Sequence, residues 1–453
     1  MTRKVPMNPL IAIIGATGTG KSDLAVELAK RHNGEIVNGD AMQLYEGLPI
    51  ITNKITIEEQ QGIRHHLLGC IGLQEPTWVV GTFVKRAVKV IEEIRARGKL
   101  PILVGGTHYY TQSVLFHDRL AEEEDDDDQH LSDREEDILP ALEQPTDVLL
   151  KDLQKVDPVM AVRWHPNDRR KIQRSLEIFI KTGRKASDVY AEQQAQKSIK
   201  MEANENEGDT SASMRYDTLL FWIHAEADSL KPRLDGRVTK MLNAGLLDEV
   251  RTLHDYATDE ATHGRPVDET RGIWVSIGYK EFKAYVSAMH GGTASDEELQ
   301  SLKDYGIERT QIATRQYAKR QVRWIRIKLL SSLASTNNIS SLYLLDGSDI
   351  LGFAETVSQP AVDLTSNFLA AESLPEPSSL SSAAAEMLQP KRDYDLAANP
   401  ELWTKQYCEV CDVTCVVQEQ WLQHVGSKAH NKALRWRRER ERERGVVVLG
   451  SGS

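Results

Sequence analysis

Over its first 115 residues the chain alternates short apolar runs with stretches in which apolar side chains recur every three or four positions. LIAIIG at 10–15, GEIVNGD at 34–40 and LPILVGG at 100–106 are too short for helices and are predicted as strands. The helical patterns between them reach about Arg31 and run from Thr82 to Arg97. Strands joined through helices call for a parallel sheet with helices on both faces, binding ligands at the strands' carboxyl ends. Three loops, Gly15 to Ser22, Asp40 to Tyr45 and Gly105 to Tyr110, are therefore expected at one edge. From about Asp118 to Met214 the sequence turns charged and helical, without strand signals. TLLFWIHA at 218–225 then returns the chain to the sheet. Helices are predicted around Leu230 to His254, Gly278 to His290 and Ile307 to Leu330, with SLYLLDGSD at 341–349 a late strand or turn. Residues 370–400, containing LPEPSSLSSAAAEM, lack periodicity and are predicted as a flexible linker. The expected organisation is an α/β core from 1–117 and 215–369, a helical insertion at 118–214, the linker, and a small module at 401–444.

The first apolar run leads straight into Gly15-x4-Gly20-Lys21-Ser22 and then an amphipathic helix. This is a phosphate-binding loop in its proper strand–loop–helix context. Along Gly15, Ala16, Thr17, Gly18, Thr19 and Gly20, backbone N–H groups turn inward on an anion; Lys21 adds a point charge and Ser22 a hydroxyl for a divalent cation. Asp40, closing the strand GEIVNGD, is placed to coordinate magnesium or accept a proton, or serves as a plain turn residue. The strand ending Val104-Gly105-Gly106-Thr107 lacks the Asp that a motor or hydrolase often carries there, which favours transfer without water activation.

Composition refines this picture. The 453 residues are 40% hydrophobic, contain no apolar run near a membrane span, and should fold into more than one domain without a membrane partner, as a monomer. The net charge of −11 argues against nucleic acid only if spread evenly, yet seven consecutive acids, Glu122 to Asp128, supply much of it. Opposite bias appears in RQYAKRQVRWIR (315–326) and RWRRERERER (435–444), which either track a phosphate backbone or form solvated helical faces. The first strand starts too early to leave room for a signal peptide. Four cysteines, three of them clustered, suit a metal rather than a disulfide framework. Cys408-x2-Cys411-x12-His424-x5-His430 has the ligand types and spacing of a tetrahedral Zn2+ site, with Tyr407 and Trp421 as its expected small core and Cys415 a spare thiol. On one ideal helix those histidines would point about 240° apart, so the helix must loosen, with Gly426 the expected place. GSKAH resembles the matrin or U1 type of finger, a type associated with RNA.

The blocks GATGTGKSDLA, NGDAMQLYEGLPIITNK, HHLL, PILVGGTHYY, DPVMAVRWHPNDRRKIQRSLEIF, RLDGRVTKMLNAGLLDEV, SIGYKEF and TRQYAKRQVRWIR, in this order, resemble the tRNA dimethylallyltransferases, and the finger resembles their eukaryotic branch. The acidic run and Trp78, where the family often has Tyr, are peripheral departures. The resemblance implies transfer of a dimethylallyl group from dimethylallyl diphosphate to N6 of the adenosine beside the anticodon of tRNAs that read codons starting with U. It implies Asp40 as proton acceptor, Thr107 as hydrogen-bond donor to the bridging oxygen or the substrate, and Arg233 or Arg237 as a second diphosphate clamp beside the loop and Mg2+. Asp40, Ala41, Met42 and Gln43 would meet the base, Gln43 through its amide. Arg170, Lys171, Ile172, Gln173, Arg174, Arg315 and Gln316 would meet the rest of the tRNA. A cytoplasmic enzyme with nuclear and mitochondrial pools is expected. The alternatives are a P-loop small-molecule or nucleoside kinase, which has no use for an Arg-tailed finger, and a zinc-finger nucleic-acid-binding regulator, which has no use for three intact loops.

Overall fold

A computed structural model describes residues 4–116, 142, 144–192, 195, 214–389 and 403–449, without side-chain detail for 403 and 440–449. The acidic run at 122–128, the end of the linker at 390–400 and the side chains of the last arginines of the basic tail lie outside what is described. The chain divides into two compact units, Met1–Leu120 with Asp209–Asp393, and Ala121–Gly208 with Tyr394–Ser453.

The first unit is built on six parallel strands, β1 (Pro9–Gly15), β2 (Gly34–Asn38), β3 (His65–His66), β4 (Leu100–Val104), β5 (Asp217–His224) and β6 (Leu342–Asp346), in the order β3-β2-β4-β1-β5-β6. Central β1 pairs with β4 and β5, Ile11 standing opposite both Ile102 and Leu219. Successive side chains of a strand face opposite ways, so β1 feeds two cores. Leu10, Ala12 and Ile14 join Leu220 and Trp222 beneath the helix Val80–Ala96, while Ile11 and Ile13 join Phe221, Ile223 and the helices Lys21–Arg31 and Gln359–Leu369. A sheet covered on both faces needs apolar residues at every position, which is why these strands read as continuous runs rather than alternating ones.

Several expected elements are corrected. The helix expected over Leu230 to His254 is two, Ala227–Ala244 and Leu246–Thr262, because Gly245 lies in the left-handed region at φ 109° and ends the first. The helix expected from Ile307 begins eleven residues earlier, at Asp296, where the Ser295 side chain accepts from the Glu298 N–H. The first half of the expected linker is core instead: Ser382–Met387 is a helix, Ala384 and Leu388 are buried against the sheet, and Tyr343 donates to the Pro375 carbonyl at 2.8 Å. Apolar residues too sparse to show periodicity hid it.

In the second unit the helices Thr146–Val156, Pro158–Arg163 and Arg169–Thr182 pack around Leu149, Leu153, Met160 and Ile172. Buried Asp157 caps the second helix through the Met160 N–H and accepts the Ser187 N–H at 2.8 Å. The hairpin β7 (Trp403–Cys408) and β8 (Val413–Val417) and the helices after it belong to this same unit, and a His165 ring nitrogen lies 3.1 Å from the Thr414 carbonyl. The finger therefore does not stand apart from the insertion.

Candidate active site

Three strand ends build the site. After β1, Gly15 has φ 146°, and a Cβ there would come within 2.4 Å of the Ile223 carbonyl, so only glycine lets the loop leave the sheet here. Gly18 and Gly20 also have positive φ, and Gly20 lies against the Phe353 ring. Within the loop the Thr19 hydroxyl and the Lys21 ammonium both donate to the Ala16 carbonyl, at 2.9 and 2.7 Å, which fixes its curvature. Ser22 is exposed in the first turn of the following helix. After β2, the Asn38 amide holds the next turn by donating to the Asp40 and Leu67 carbonyls, and its oxygen accepts the Asp40 N–H at 3.0 Å. After β4, Gly105 packs so closely on Gly39 that a Cβ would reach 2.2 Å from its carbonyl oxygen. The Thr107 hydroxyl then accepts the Ala41 N–H at 3.0 Å, tying the two loops together.

Asp40, Lys21 and Arg237 form one electrostatic group. Burial raises the Asp40 carboxyl above the ordinary carboxylate range, against the pull of the Met42 N–H, Lys21, Arg237 and the Gln43 N–H. Burial likewise lowers Lys21 to about 8, opposed by Asp40 and reinforced by Arg237. Arg237 is lowered to about 10 by burial, again opposed by Asp40. The result is a carboxylate of raised basicity held beside two cations at the mouth of an anion-binding loop.

Placement separates the expected residues. Arg233 gives its donors to the Gly347 and Ser348 carbonyls after β6 and props the loop there, whereas Arg237 faces the Asp40 group. Gln43 donates to the Asn53 carbonyl at 3.1 Å. Arg315 is paired with Asp235, while Gln316 is exposed beside a cavity of about 350 Å3 that Lys280, Arg309 and Arg320 also line. In the second unit, Arg170 and Lys171 are exposed, Gln173 donates to the Leu142 carbonyl, and Arg174 pairs with Glu177 at 2.9 Å. The Ile172 side chain is fully buried in that unit's core and serves packing there, because its helix turns one apolar side inward at every third or fourth position.

Other residues carry the site without having been singled out by the sequence. Gln321, buried on the helix Asp296–Trp324, accepts the Thr17 N–H at 2.8 Å and donates to the Gly106 carbonyl at 2.9 Å, latching the phosphate loop to the β4 loop. Tyr317, four residues earlier on the same face, points its hydroxyl at Gly106 and Thr107, and burial raises its pKa. Glu249 grips the Ile50 and Ile51 N–H groups at 2.9 and 2.7 Å. His108 is buried, neither ring nitrogen has a partner among the described residues, and burial aided by Lys21 lowers it to about 3, so it is neutral at working pH. A lone amide or ring amid charged sequence gave no signal of these duties. A glutamine four residues after a tyrosine on one helix face was the faint one available.

In the finger, Cys408, Cys411, His424 and His430 bring four ligand atoms within 4.8 Å of one another. The His430 Nδ1 lies 3.5 and 3.4 Å from the two sulfurs, and the buried His424 Nε2 has no hydrogen-bond partner among the described residues. Two thiols and two imidazoles facing one point fit a tetrahedral metal. The helix Gln418–Val425 does end before Gly426, and the Ser427 hydroxyl accepts the His430 N–H to start the next helix, which turns the second imidazole back. Tyr407 is corrected from core to surface: it is exposed and donates to Asp412, while Val417 and Cys415 fill the interior.

A family model described as IPP transferase matches residues 43–328. The tRNA dimethylallyltransferase of Schizosaccharomyces pombe is 36% identical over 96% of both chains, and that of Homo sapiens 35% identical over 95% of this chain and 86% of its own. A solved eukaryotic dimethylallyltransferase acting on tRNA superposes with a TM-score of 0.73 at 32% identity, covering 97% of this chain and 100% of that one.

Proposed function

The chain belongs to the IPP transferase family, and we propose that it transfers a dimethylallyl group from dimethylallyl diphosphate to tRNA, at N6 of the adenosine next to the anticodon in tRNAs reading codons that begin with U. The observation that carries this reading is Asp40 facing Lys21 and Arg237 at the phosphate loop, which puts a proton acceptor and a diphosphate clamp in one place.

The acceptor nitrogen is a poor nucleophile because its lone pair is delocalised into the purine. The reaction therefore needs a stabilised leaving group and removal of a proton. N6 attacks C1 of the dimethylallyl group, the C1–O bond to diphosphate breaks, and the N6 proton passes to the Asp40 carboxylate. Loop N–H groups, Lys21 and Arg237 face the charge that develops on the departing diphosphate. Thr107, which holds the Ala41 N–H, offers its hydroxyl proton to the bridging oxygen. The Ser22 hydroxyl suits Mg2+, which keeps several waters and takes phosphate oxygens, and would add Lewis-acid stabilisation of the same leaving group. The finger's donor set suits a structural Zn2+, and the basic helix after it adds phosphate contacts. Among the described residues no helix is long and apolar enough to cross a membrane.

Incubating the purified protein with labelled dimethylallyl diphosphate or labelled ATP, with and without tRNA, tests the assignment. Label should enter tRNA from dimethylallyl diphosphate alone. Robust ATP hydrolysis without tRNA would overturn it in favour of a kinase or NTPase.

A further inference from the structure

A second group of side chains with metal-ligating atoms lies in the first unit, on helices not assigned to the chemistry. His254 and Asp255 are on the helix Leu246–Thr262, His290 is in the last turn of Tyr279–Gly291, and one ligand atom from each lies within 4.8 Å of the others. The His290 Nδ1–H donates to the Val286 carbonyl at 3.0 Å, which leaves the lone pair on Nε2, and Nε2 faces the Asp255 Oδ1 at 3.0 Å. The His254 Nε2 lies 3.2 Å from the Ser287 hydroxyl, and its Nδ1, 3.6 Å from the same Oδ1, is buried without a hydrogen-bond partner among the described residues. The two rings stack at 5.1 Å and 22°, holding both nitrogens on one side. The His290 Nε2 lone pair, aimed at a carboxylate oxygen, repels it unless a cation sits between them.

We propose that His254, Asp255 and His290 form a further metal site, binding a zinc-class divalent cation that staples these two helices. Bonds of about 2.0–2.2 Å to a tetrahedral ion space its ligands at about 3.3–3.6 Å, close to the 3.0 and 3.6 Å seen here. Two imidazoles and one carboxylate suit zinc, cobalt or nickel and not magnesium. Asp255 and His290 are half exposed, so the ion has a path in and room for water as its remaining ligand. The staple would act on the site from a distance. The helix bearing His254 also carries Glu249, whose carboxylate holds the Ile50 and Ile51 N–H groups.

The full chain, stripped by a chelator and dialysed against micromolar Zn2+, should retain two zinc ions by plasma mass spectrometry. His290→Gln and Asp255→Asn, both at half-exposed positions and checked for native circular dichroism, should each retain one. Cys408→Ser should also retain one, and loaded with Co2+ it should show visible d–d bands without the sulfur charge-transfer absorption of the finger. One zinc in the wild type with none in Cys408→Ser would overturn the site and leave a proton between the side chains. A second zinc that survives both His290→Gln and Asp255→Asn would overturn it by placing the ion elsewhere.

Discussion

At the scale of single residues, with Asp40 as the proposed base and Lys21 in the proposed clamp, their paired shifts should set the pH dependence of transfer. The base works only when ionised, so kcat/KM should rise with pH through a value above the usual carboxylate range. The clamp works only when Lys21 is protonated, so kcat/KM should fall again near 8. Bound diphosphate favours the ammonium form, which moves the falling limb of kcat to higher pH. Asp40→Asn keeps size and shape while removing the acceptor, and should lower kcat by about 10² to 10⁴ while tRNA and dimethylallyl diphosphate still bind. It also removes the charge that raises Lys21, so the falling limb of its residual activity should shift to lower pH. Near-normal turnover in this variant would rule Asp40 out as the base. The sequence marked Asp40 as a carboxylate at a strand end beside a phosphate loop and left magnesium, a proton or a plain turn as its duty; the burial beside Lys21 and Arg237 that favours the second was not legible. Arg237 was legible only as one of two arginines a turn apart, since the choice between them rests on which carbonyls Arg233 meets.

At the scale of elements, two buried polar links hold the sheet edge to its surroundings, and neither was legible. Gln321 satisfies the Thr17 N–H and the Gly106 carbonyl at once, so Gln321→Leu leaves both unpaired. That should cost about 1–3 kcal/mol of stability and slacken the phosphate loop, seen as a KM for dimethylallyl diphosphate raised about tenfold or more. An unchanged KM would show that the loop holds its shape alone. Glu35 of β2 is buried and meets Arg97 at 2.6 Å, His66 at 2.7 Å and Lys99 at 3.0 Å. Burial pushes its carboxyl up, but hydrogen bonds from Arg97, His66 and Lys99 outweigh that and bring it to about 2. A carboxylate so depressed stabilises the fold fully above 4.5 and loses its contribution as pH falls toward 2. Glu35→Gln should cost about 3 kcal/mol in denaturant melts at neutral pH, and its gap from the wild type should narrow steadily below 4.5. A gap independent of pH would mean that packing, not charge, holds this corner. The motif GEIVNGD shows a strand with an acid in it. What no one-dimensional pattern shows is that β3 brings an imidazole, and the turn after the helix Val80–Ala96 two cations, to that acid.

At the scale of the whole molecule, periodicity revealed the sheet because each parallel strand is apolar throughout, and spacing revealed the finger because ligand chemistry fixes it. The grouping of segments into units stayed hidden, since it depends on contacts such as that between His165 and the Thr414 carbonyl, which leave no trace in either local sequence. This changes what removal of the finger should do. Were residues 401–453 a free module, their loss would only subtract phosphate contacts, including those of the six arginines between Arg435 and Arg444. Because the hairpin shares a unit with the insertion, truncation should also loosen the helices around Leu153 and Ile172, where Arg170 and Lys171 are displayed. The truncated chain should bind tRNA more weakly, with a shallower loss of affinity as salt rises, and its insertion helices should exchange amide hydrogens faster. Cys408→Ser should reproduce all three effects, since a structural finger without its metal unfolds, while prenyl transfer at saturating tRNA persists through the Asp40 group. Unchanged exchange in the insertion alongside a reduced salt slope would mean that the finger contributes charge alone. Loss of transfer even at saturating tRNA would mean that the second unit shapes the chemistry itself.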